Sequence, residues 1–318
     1  HIDSGKPEFE ALDISENKDE YLDSFYIPKN SRWLTLSSME NSIEDGVRLA
    51  FRGIEDNNPY FEGVLEQFAL TFTRRNSTAV LKLLIAHFSK ISLRDDSLED
   101  VQILGVVYSK LIMQFVAGEG RRGGEYASPD DVTRLAVSLL QVHEGNSIYD
   151  PACGVGGFLV NCVESISRHG GNPLSITLFG EEINTSTWVL AKLNMLFHGI
   201  SNFDVRCGDS LRDPKFVSND NLKKFDRVIS NPPFGLRNWG AEAAKDDRYQ
   251  RFHYGVPKTN ADLAFVQHMI SALNDTGRMS VVIPHGALFR GSSEKEIRKG
   301  LLEDDLVEAV ISLPPNLF

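Results

Sequence analysis

The chain has 318 residues, of which 42% are hydrophobic and 24% charged, and its formal net charge is −11. That is the make-up of a globular protein of one large or two ordinary domains. No run of about 18 apolar residues is present, which excludes a helical membrane span, and the first residues carry no secretory pattern. Three cysteines, Cys153, Cys162 and Cys207, lack metal-ligand spacing and are too few for a disulfide framework, so a reduced, cytoplasmic protein without a metal is expected. The acidic balance argues against tight, unaided binding of nucleic acid, because phosphate neutralisation supplies most non-specific affinity. A DNA substrate would have to be held by another subunit or segment.

Residues 1 to about 30 are polar, acidic and without period, and read as a loosely held lead-in. From Ser38 to Phe115 the pattern is helical. Leu81, Leu84, Ile85 and Phe88 form one apolar face, and Val101, Leu104, Tyr108, Leu111, Ile112 and Phe115 form another. Phe51, Tyr60, Phe61, Phe68 and Phe72 read as core. Gly118 to Gly124 breaks the pattern, and its Arg121 and Arg122 read as solvated linker residues. The expected division is therefore a helical domain over residues 1–119 and a second domain over residues 120–318.

The second domain begins with Ser128 as N-cap, Pro129 as first helical residue and Asp131 as the acid of a capping box. Strands and helices then alternate. Strands are predicted over 147–150, 176–182, 203–207, 227–230, 279–283 and 307–313, with helices over 158–166, 185–197, 261–273 and 294–302. The fold class is α/β, a parallel sheet with helices on both faces.

The chemistry concentrates where the strands end. Asp150-Pro-Ala-Cys-Gly-Val-Gly-Gly-Phe-Leu159 follows the first strand. Gly154, Gly156 and Gly157 permit a tight turn and close approach to a ligand. The dinucleotide fingerprint fails, since Leu159 stands where its third glycine would be, and no phosphate-loop Lys follows. A carboxylate at Asp150 repels pyrophosphate and suits an ammonium group. Glu182 closes the second strand and can accept from both ribose hydroxyls. Asp209 follows the third and can accept from an adenine amino group. Each acid alone also reads as an N-cap for the next helix. The fourth strand stops at Asn231-Pro-Pro-Phe234, since two prolines cannot donate to a ladder. Asn231 and a proline carbonyl can accept from one exocyclic amino group, and Phe234 can stack on its ring; a simple turn is the alternative. Gly235 to Lys258, with Arg237, Trp239, Arg248, Arg251, Phe252 and Tyr254, is basic and aromatic, and reads as bordering a flipped base or nearby backbone, or as a surface loop. His143, His169, His198 and His268 read as structural or surface residues.

Taken together, the glycine loop and Asn-Pro-Pro-Phe resemble the S-adenosylmethionine-dependent amino-methyltransferases of DNA, and most of all the modification subunit of type I restriction-modification systems, which methylates adenine N6. The likeness runs from about Tyr26 to the end. It includes Asn260-Ala-Asp-Leu-Ala-Phe-Val-Gln-His-Met269 and Ile283-Pro-His-Gly-Ala-Leu-Phe289, in the gamma order of motifs. The resemblance implies a Rossmann-like class I methyltransferase sheet preceded by an all-helical domain. It implies a cofactor site for S-adenosylmethionine. Asp150, Ala152, Gly154, Gly156, Gly157 and Phe158 would stand at the methionine end, covered by Ser128 and Pro129. Glu182 and Ile183 would stand at the ribose, with Asp209, Ser210 and Phe265 at the adenine. Position 127 is often aromatic in the family and is Ala127 here, so one wall of the cofactor pocket is expected to be either thinner or filled by Tyr126. Asn231, Pro232, Pro233 and Phe234 would be the catalytic loop, and the target base would be flipped out of the duplex. The implied partners are DNA, a specificity subunit, a second modification subunit and a restriction (endonuclease/translocase) subunit, with no membrane. The family's sheet has seven strands and six are counted here, so a further segment past Phe318 is expected. The alternatives are a stand-alone or fused amino-methyltransferase acting on N4 of cytosine, on RNA or on protein glutamine, and a catalytically silent S-adenosylmethionine-binding subunit.

Overall fold

The computed structural model describes residues 25–75, 78–91, 103–118, 128–315 and 317. Two compact units divide the chain, residues 1–101 and 102–318.

In the first unit the described residues form helices α1 (Trp33–Ser37), α2 (Ile43–Asn57), α3 (Leu65–Arg75) and α4 (Thr78–Phe88). The apolar spacing of α2 buries Ile43, Val47 and Ala50 on one face. Phe25 packs on Phe61 with ring centroids 4.7 Å apart, and Phe51 meets Phe68 edge-on at 5.6 Å. The Asn58 side chain latches the incoming strand of chain, accepting from Tyr26 N (2.9 Å) and donating to Tyr26 O (2.8 Å). The predicted core role of these aromatics holds for Phe61, which is buried; the side chain of Phe72 lies outside the described residues.

Helix α5 (Ile103–Gly118) belongs to the second unit, ahead of the glycine-rich stretch where the sequence places the boundary. Its contacts explain this. Tyr108 stacks near Phe197 (4.7 Å) and donates to Leu190 O (3.2 Å), while Ile112 packs on Val155. Leu111, expected on the same apolar face, is 58% exposed.

The rest of the unit is α6 (Asp130–Leu140), β1 (Ser147–Asp150), α7 (Gly157–Arg168), β2 (Thr177–Glu182), α8 (Thr185–Phe197), β3 (Phe203–Cys207), a small ribbon of β4 (Val217–Ser218) and β5 (Asn221–Leu222), β6 (Phe225–Ser230), α9 (Asp262–Ser271), β7 (Leu273–Val281), α10 (Gly286–Phe289) and α11 (Ser293–Glu303). Five strands pair in the order β3-β2-β1-β6-β7, all parallel. Alternate residues of each strand face opposite layers. Ile148, Leu178, Val205 and Ile229 join α6, α7 and α8 in one core. Tyr149, Phe179, Phe225 and Val228 join Phe216 and Met269 of α9 in the other. The predicted doubly covered parallel sheet is thus observed.

Two expectations fail here. Residues 307–313 form no strand; Val307, Val310 and Ile311 are 39%, 65% and 48% exposed. A β-branched run becomes a strand only when a neighbour completes its ladder. Ser128 does not cap α6 either: the helix starts at Asp130 behind Pro129 with no side-chain cap, because the hydroxyl is engaged elsewhere.

The sheet order reverses direction at β1, which pairs with β2 on one side and β6 on the other. That is the switch point where ligands bind in such folds. Leu159, fully buried between α7 and the sheet, holds the helix that follows the glycine loop. Leu159→Ala is expected to lower unfolding free energy by about 2–5 kcal/mol in urea titrations, against less than about 0.5 kcal/mol for the exposed Leu174→Ala.

Candidate active site

Parallel pairing brings the ends of β1, β2, β3 and β6 to one edge, so Asp150, Glu182, Asp209 and Asn231 gather there. The glycine loop is shaped by its own backbone. Gly154 and Gly156 take φ of 54° and 82°, Gly156 N donates to Cys153 O (2.8 Å), and Cys153 N donates to Glu181 O (2.9 Å). A Cβ at Gly156 would lie 2.6 Å from Met195 Cε, so position 156 needs glycine for conformation and for space. Gly157 opens α7, and Phe158 is buried beneath the loop.

Asp150 is fully buried. Its Oδ1 accepts from Ser230 Oγ (2.7 Å) and Ala152 N (3.0 Å), while its Oδ2 has no partner among the described residues. Burial pushes its carboxyl up to about 7; the hydrogen bonds from Ser230 and Ala152 pull the other way, and Glu182 adds repulsion. Glu182 accepts from Gly154 N through Oε2 (3.1 Å) and from Asn184 N through Oε1 (2.7 Å), so it braces the glycine loop; neither it nor Asp150, Asp209 or Phe265 lines the cavity described below. Burial raises its carboxyl too. Ile183 beside it is 66% exposed. Asp209 caps its own turn, its Oδ1 accepting from Leu211 N and Arg212 N (both 3.1 Å). No helix follows, so Asp209 closes a turn rather than capping a helix, and its Oδ2 lies 3.7 Å from Arg212 Nε. Ser210 Oγ donates to Pro151 O (2.8 Å), tying the third strand end to the first.

Asn231 stands directly after Ser230. Its Nδ2 donates to Ser128 Oγ (2.9 Å), the use that removes Ser128 from capping; its Oδ1 is buried and unpartnered among the described residues. Pro232 is buried, Pro233 half-buried, and Phe234 is 40% exposed. One cavity of about 580 Å³ is lined by Ser128, Ala152, Gly154, Gly157, Phe158 and Asn231, among others. Phe265 is buried with Leu211, Trp239 and Phe252, and Ala152 packs against that cluster. Tyr126 lies outside the described residues, as do Ala127, Arg121 and Arg122.

The basic-aromatic reading of residues 235–258 needs correction. Arg251, Trp239 and Phe252 are 4%, 3% and 8% exposed, and Arg251 pairs with Asp247 at 2.7 Å. None of the three can meet DNA; Arg237 and Arg248 are exposed. The sequence reading also missed Asp262. Its Oδ1 accepts from Gly235 N (2.9 Å), and its carboxylate pairs with Arg290, which also pairs with Glu294 (2.8 Å). The loop after Phe234 is anchored this way. The only signal was an acid at the start of an apolar helix, which reads as an ordinary first-turn residue. Ser230, the link between the two loops, had no distinguishing signal.

The buried acid has a consequence for stability. A folded-state pKa near 7 lies above the ordinary carboxylate value, so Asp150 contributes stability that is full below about pH 4 and is lost as pH rises through 7. Between pH 5 and 8 the ligand-free native chain is expected to lose stability relative to Asp150→Asn, by at most about 1.4 kcal/mol per pH unit. Denaturant titrations of both proteins across that range check this; a pH-independent difference would contradict it.

Comparisons with known proteins agree with this geometry. Residues 99–318 match the family model described as N-6 DNA Methylase, and residues 4–88 match the HsdM N-terminal domain. The type I restriction enzyme HindI methylase subunit of Haemophilus influenzae is 34% identical over 92% of this chain and 69% of its own length. The MjaIX methylase subunit of Methanocaldococcus jannaschii is 32% identical over 98% of this chain and 56% of its own. Among solved structures, the type I restriction-modification system methyltransferase subunit from Streptococcus thermophilus aligns with a TM-score of 0.74 at 29% identity, over 92% of this chain and 62% of that one. The chain thus spans 56% to 69% of the length of these relatives. With its glycine loop, its Asn-Pro-Pro-Phe loop and a family match over most of its length, the chain belongs to the N-6 DNA methylase family.

Proposed function

We propose that the chain is the modification subunit of a type I restriction-modification system, transferring a methyl group from S-adenosylmethionine to N6 of an adenine flipped out of DNA. One observation carries this reading. Of three buried acceptors without partners among the described residues, Asp150 Oδ2, Asn231 Oδ1 and Gln267 Oε1, the first two sit on loops joined by the Ser230–Asp150 hydrogen bond. Buried polar atoms are rarely left unmade, because each unsatisfied group costs about 1–3 kcal/mol. Asp150 Oδ2 suits the ammonium of the cofactor's methionine, and Asn231 Oδ1 suits an amino hydrogen of the target base.

S-adenosylmethionine supplies a methyl group on an electrophilic sulfonium. Glu182 would accept from the ribose hydroxyls and Asp209 from the adenine amino group, with Phe265 behind it. The target amino nitrogen is a weak nucleophile because its lone pair is delocalised into the ring. Asn231 Oδ1 and the Pro232 carbonyl, accepting both of its hydrogens, would favour a pyramidal nitrogen and orient its lone pair. Asn231 Nδ2 donates to Ser128 Oγ (2.9 Å), and with the amide so turned its oxygen would be the atom left for the substrate. Phe234, 40% exposed, would stack on the base. Sequence choice would come from a specificity subunit, in keeping with a net charge of −11. A second modification subunit, a restriction subunit and a cytoplasmic location complete the reading; no helix among the described residues is long and apolar enough to cross a membrane.

Calorimetric titration with S-adenosylmethionine tests the cofactor half of this reading. The native chain is expected to bind, and Asp150→Ala to bind at least about tenfold more weakly through loss of a charge-assisted contact. Asn231→Ala is expected to keep cofactor affinity and lower methyl transfer, with specificity subunit supplied, by about 10²–10³. Equal loss of binding and transfer in Asn231→Ala would contradict its assignment to the target base.

A further inference from the structure

Arg251 is buried, yet it lies in the segment between the Asn231–Phe234 loop and α9. Its guanidinium is fully used. Nε and Nη2 donate to Asp247 (3.1 and 2.7 Å), Nη1 donates to Ser210 O (2.9 Å), and Nη2 donates to Leu211 O (2.7 Å). Those two carbonyls follow Asp209 directly. Nη1 also meets His268 Nδ1 at 3.1 Å. A guanidinium cannot accept, so Nδ1 is the acceptor and the imidazole is neutral with its proton on Nε2. Nε2–H then donates to Tyr149 Oη (3.0 Å), and Tyr149 donates to Glu181 Oε1 (2.7 Å). Glu181 Oε2 accepts from Lys215 N (3.1 Å), which closes the turn after β3. Every donor and acceptor in this chain has one possible direction.

The placement of its members is the telling feature. Tyr149 precedes Asp150, Glu181 precedes Glu182, and Ser210 follows Asp209. On the opposite side of the strand ends from the three acids runs a second polar row, with Arg251 at its head. The link is also reciprocal. Arg212, in the turn after Asp209, donates from Nε to Trp239 O (3.2 Å) and from Nη2 to Asn238 O. One arginine crosses from the segment to the strand end, the other from the strand end to the segment.

We propose that Arg251 is a positioning residue for the adenosine end of the cofactor, holding the Asp209 turn in its binding shape through the Ser210 and Leu211 carbonyls. This rests on the reading of Asp209 as the adenine acceptor. A lysine at 251 keeps the ion pair with Asp247, but its single ammonium cannot span two carbonyls and an imidazole in one plane.

The test is calorimetric binding of S-adenosylmethionine and of 5′-methylthioadenosine, which has the adenosine end and no amino-acid end. Arg251→Lys is expected to weaken both ligands by about tenfold, the scale of one lost charge-assisted hydrogen bond, at a temperature where the ligand-free variant is still fully folded although its thermal midpoint is lowered. Asp150→Asn is expected to weaken S-adenosylmethionine alone. Far-ultraviolet circular dichroism of Arg251→Lys, unchanged at the titration temperature, and a cooperative melt separate this loss from a general loss of structure. Should Arg251→Lys fail to fold, Tyr149→Phe serves: it removes one hydroxyl, keeps the ring 4.6 Å from Phe225, and is expected to weaken both ligands in the same direction. Native-like binding of both ligands by the folded variant overturns the proposal. Asp209→Ala separates the two readings: if it binds 5′-methylthioadenosine as the native chain does, the adenine reading of Asp209 fails and this proposal fails with it. If Asp209→Ala loses the ligand while Arg251→Lys retains it, the positioning role alone falls.

Discussion

The hydrogen bond from Ser230 Oγ to Asp150 Oδ1, 2.7 Å long and fully buried, joins the two strand ends between which the site lies. It spans adjacent parallel strands, β1 and β6, at the point where the sheet order reverses. Because it occupies one carboxylate oxygen, the other is left without a partner among the described residues. Because Ser230 precedes Asn231, the same bond sets where the Asn231 amide begins. A hydrogen-bonded frame built this way costs stability at Asp150 Oδ2 and Asn231 Oδ1 and needs no rearrangement when a ligand arrives. Stability is drawn from the two cores on either face of the sheet.

The sheet was legible in the chain because parallel strands covered on both faces read as short apolar runs between helical periods. Four of the acid and amide positions were legible for a related reason: each ends such a run, and parallel topology sends all such ends to one edge. What escaped was set by tertiary partners. Arg251 and Trp239 look like nucleic-acid residues by type, and only the fold reveals Asp247, Ser210 O and Leu211 O waiting for the arginine. Ser128 has the sequence of an N-cap, but Asn231, over a hundred positions away, takes its hydroxyl. Residues 307–313 have the composition of a strand and no ladder in the described structure. Helix α5 looked like the last of the leading helices, although its Tyr108 and Ile112 fit α8 and the glycine loop.

Electrostatics give the site its character. Burial raises the Asp150 carboxyl and that of Glu181 to about 7, and it raises the Glu182 carboxyl as well. A group of buried acids is unfavourable in an empty site and favours a cationic, hydroxyl-rich ligand. The polar row beneath is neutral at its centre: burial and the adjacent Arg251 hold the His268 imidazole well below its usual range, so it stays uncharged and keeps its hydrogen-bond direction. The Arg251 guanidinium holds the turn after Asp209, and the neutral His268 links it to Tyr149.

The central claim is that the Asn231 loop presents an amino group of a DNA base for methylation. Its most direct test is nucleoside mass spectrometry of DNA after incubation with isotopically labelled S-adenosylmethionine, this chain and a supplied specificity subunit. Labelled N6-methyladenine, absent with Asn231→Ala, is the expected product. Labelled N4-methylcytosine, or unlabelled DNA from a protein that binds S-adenosylmethionine and DNA, would contradict the account.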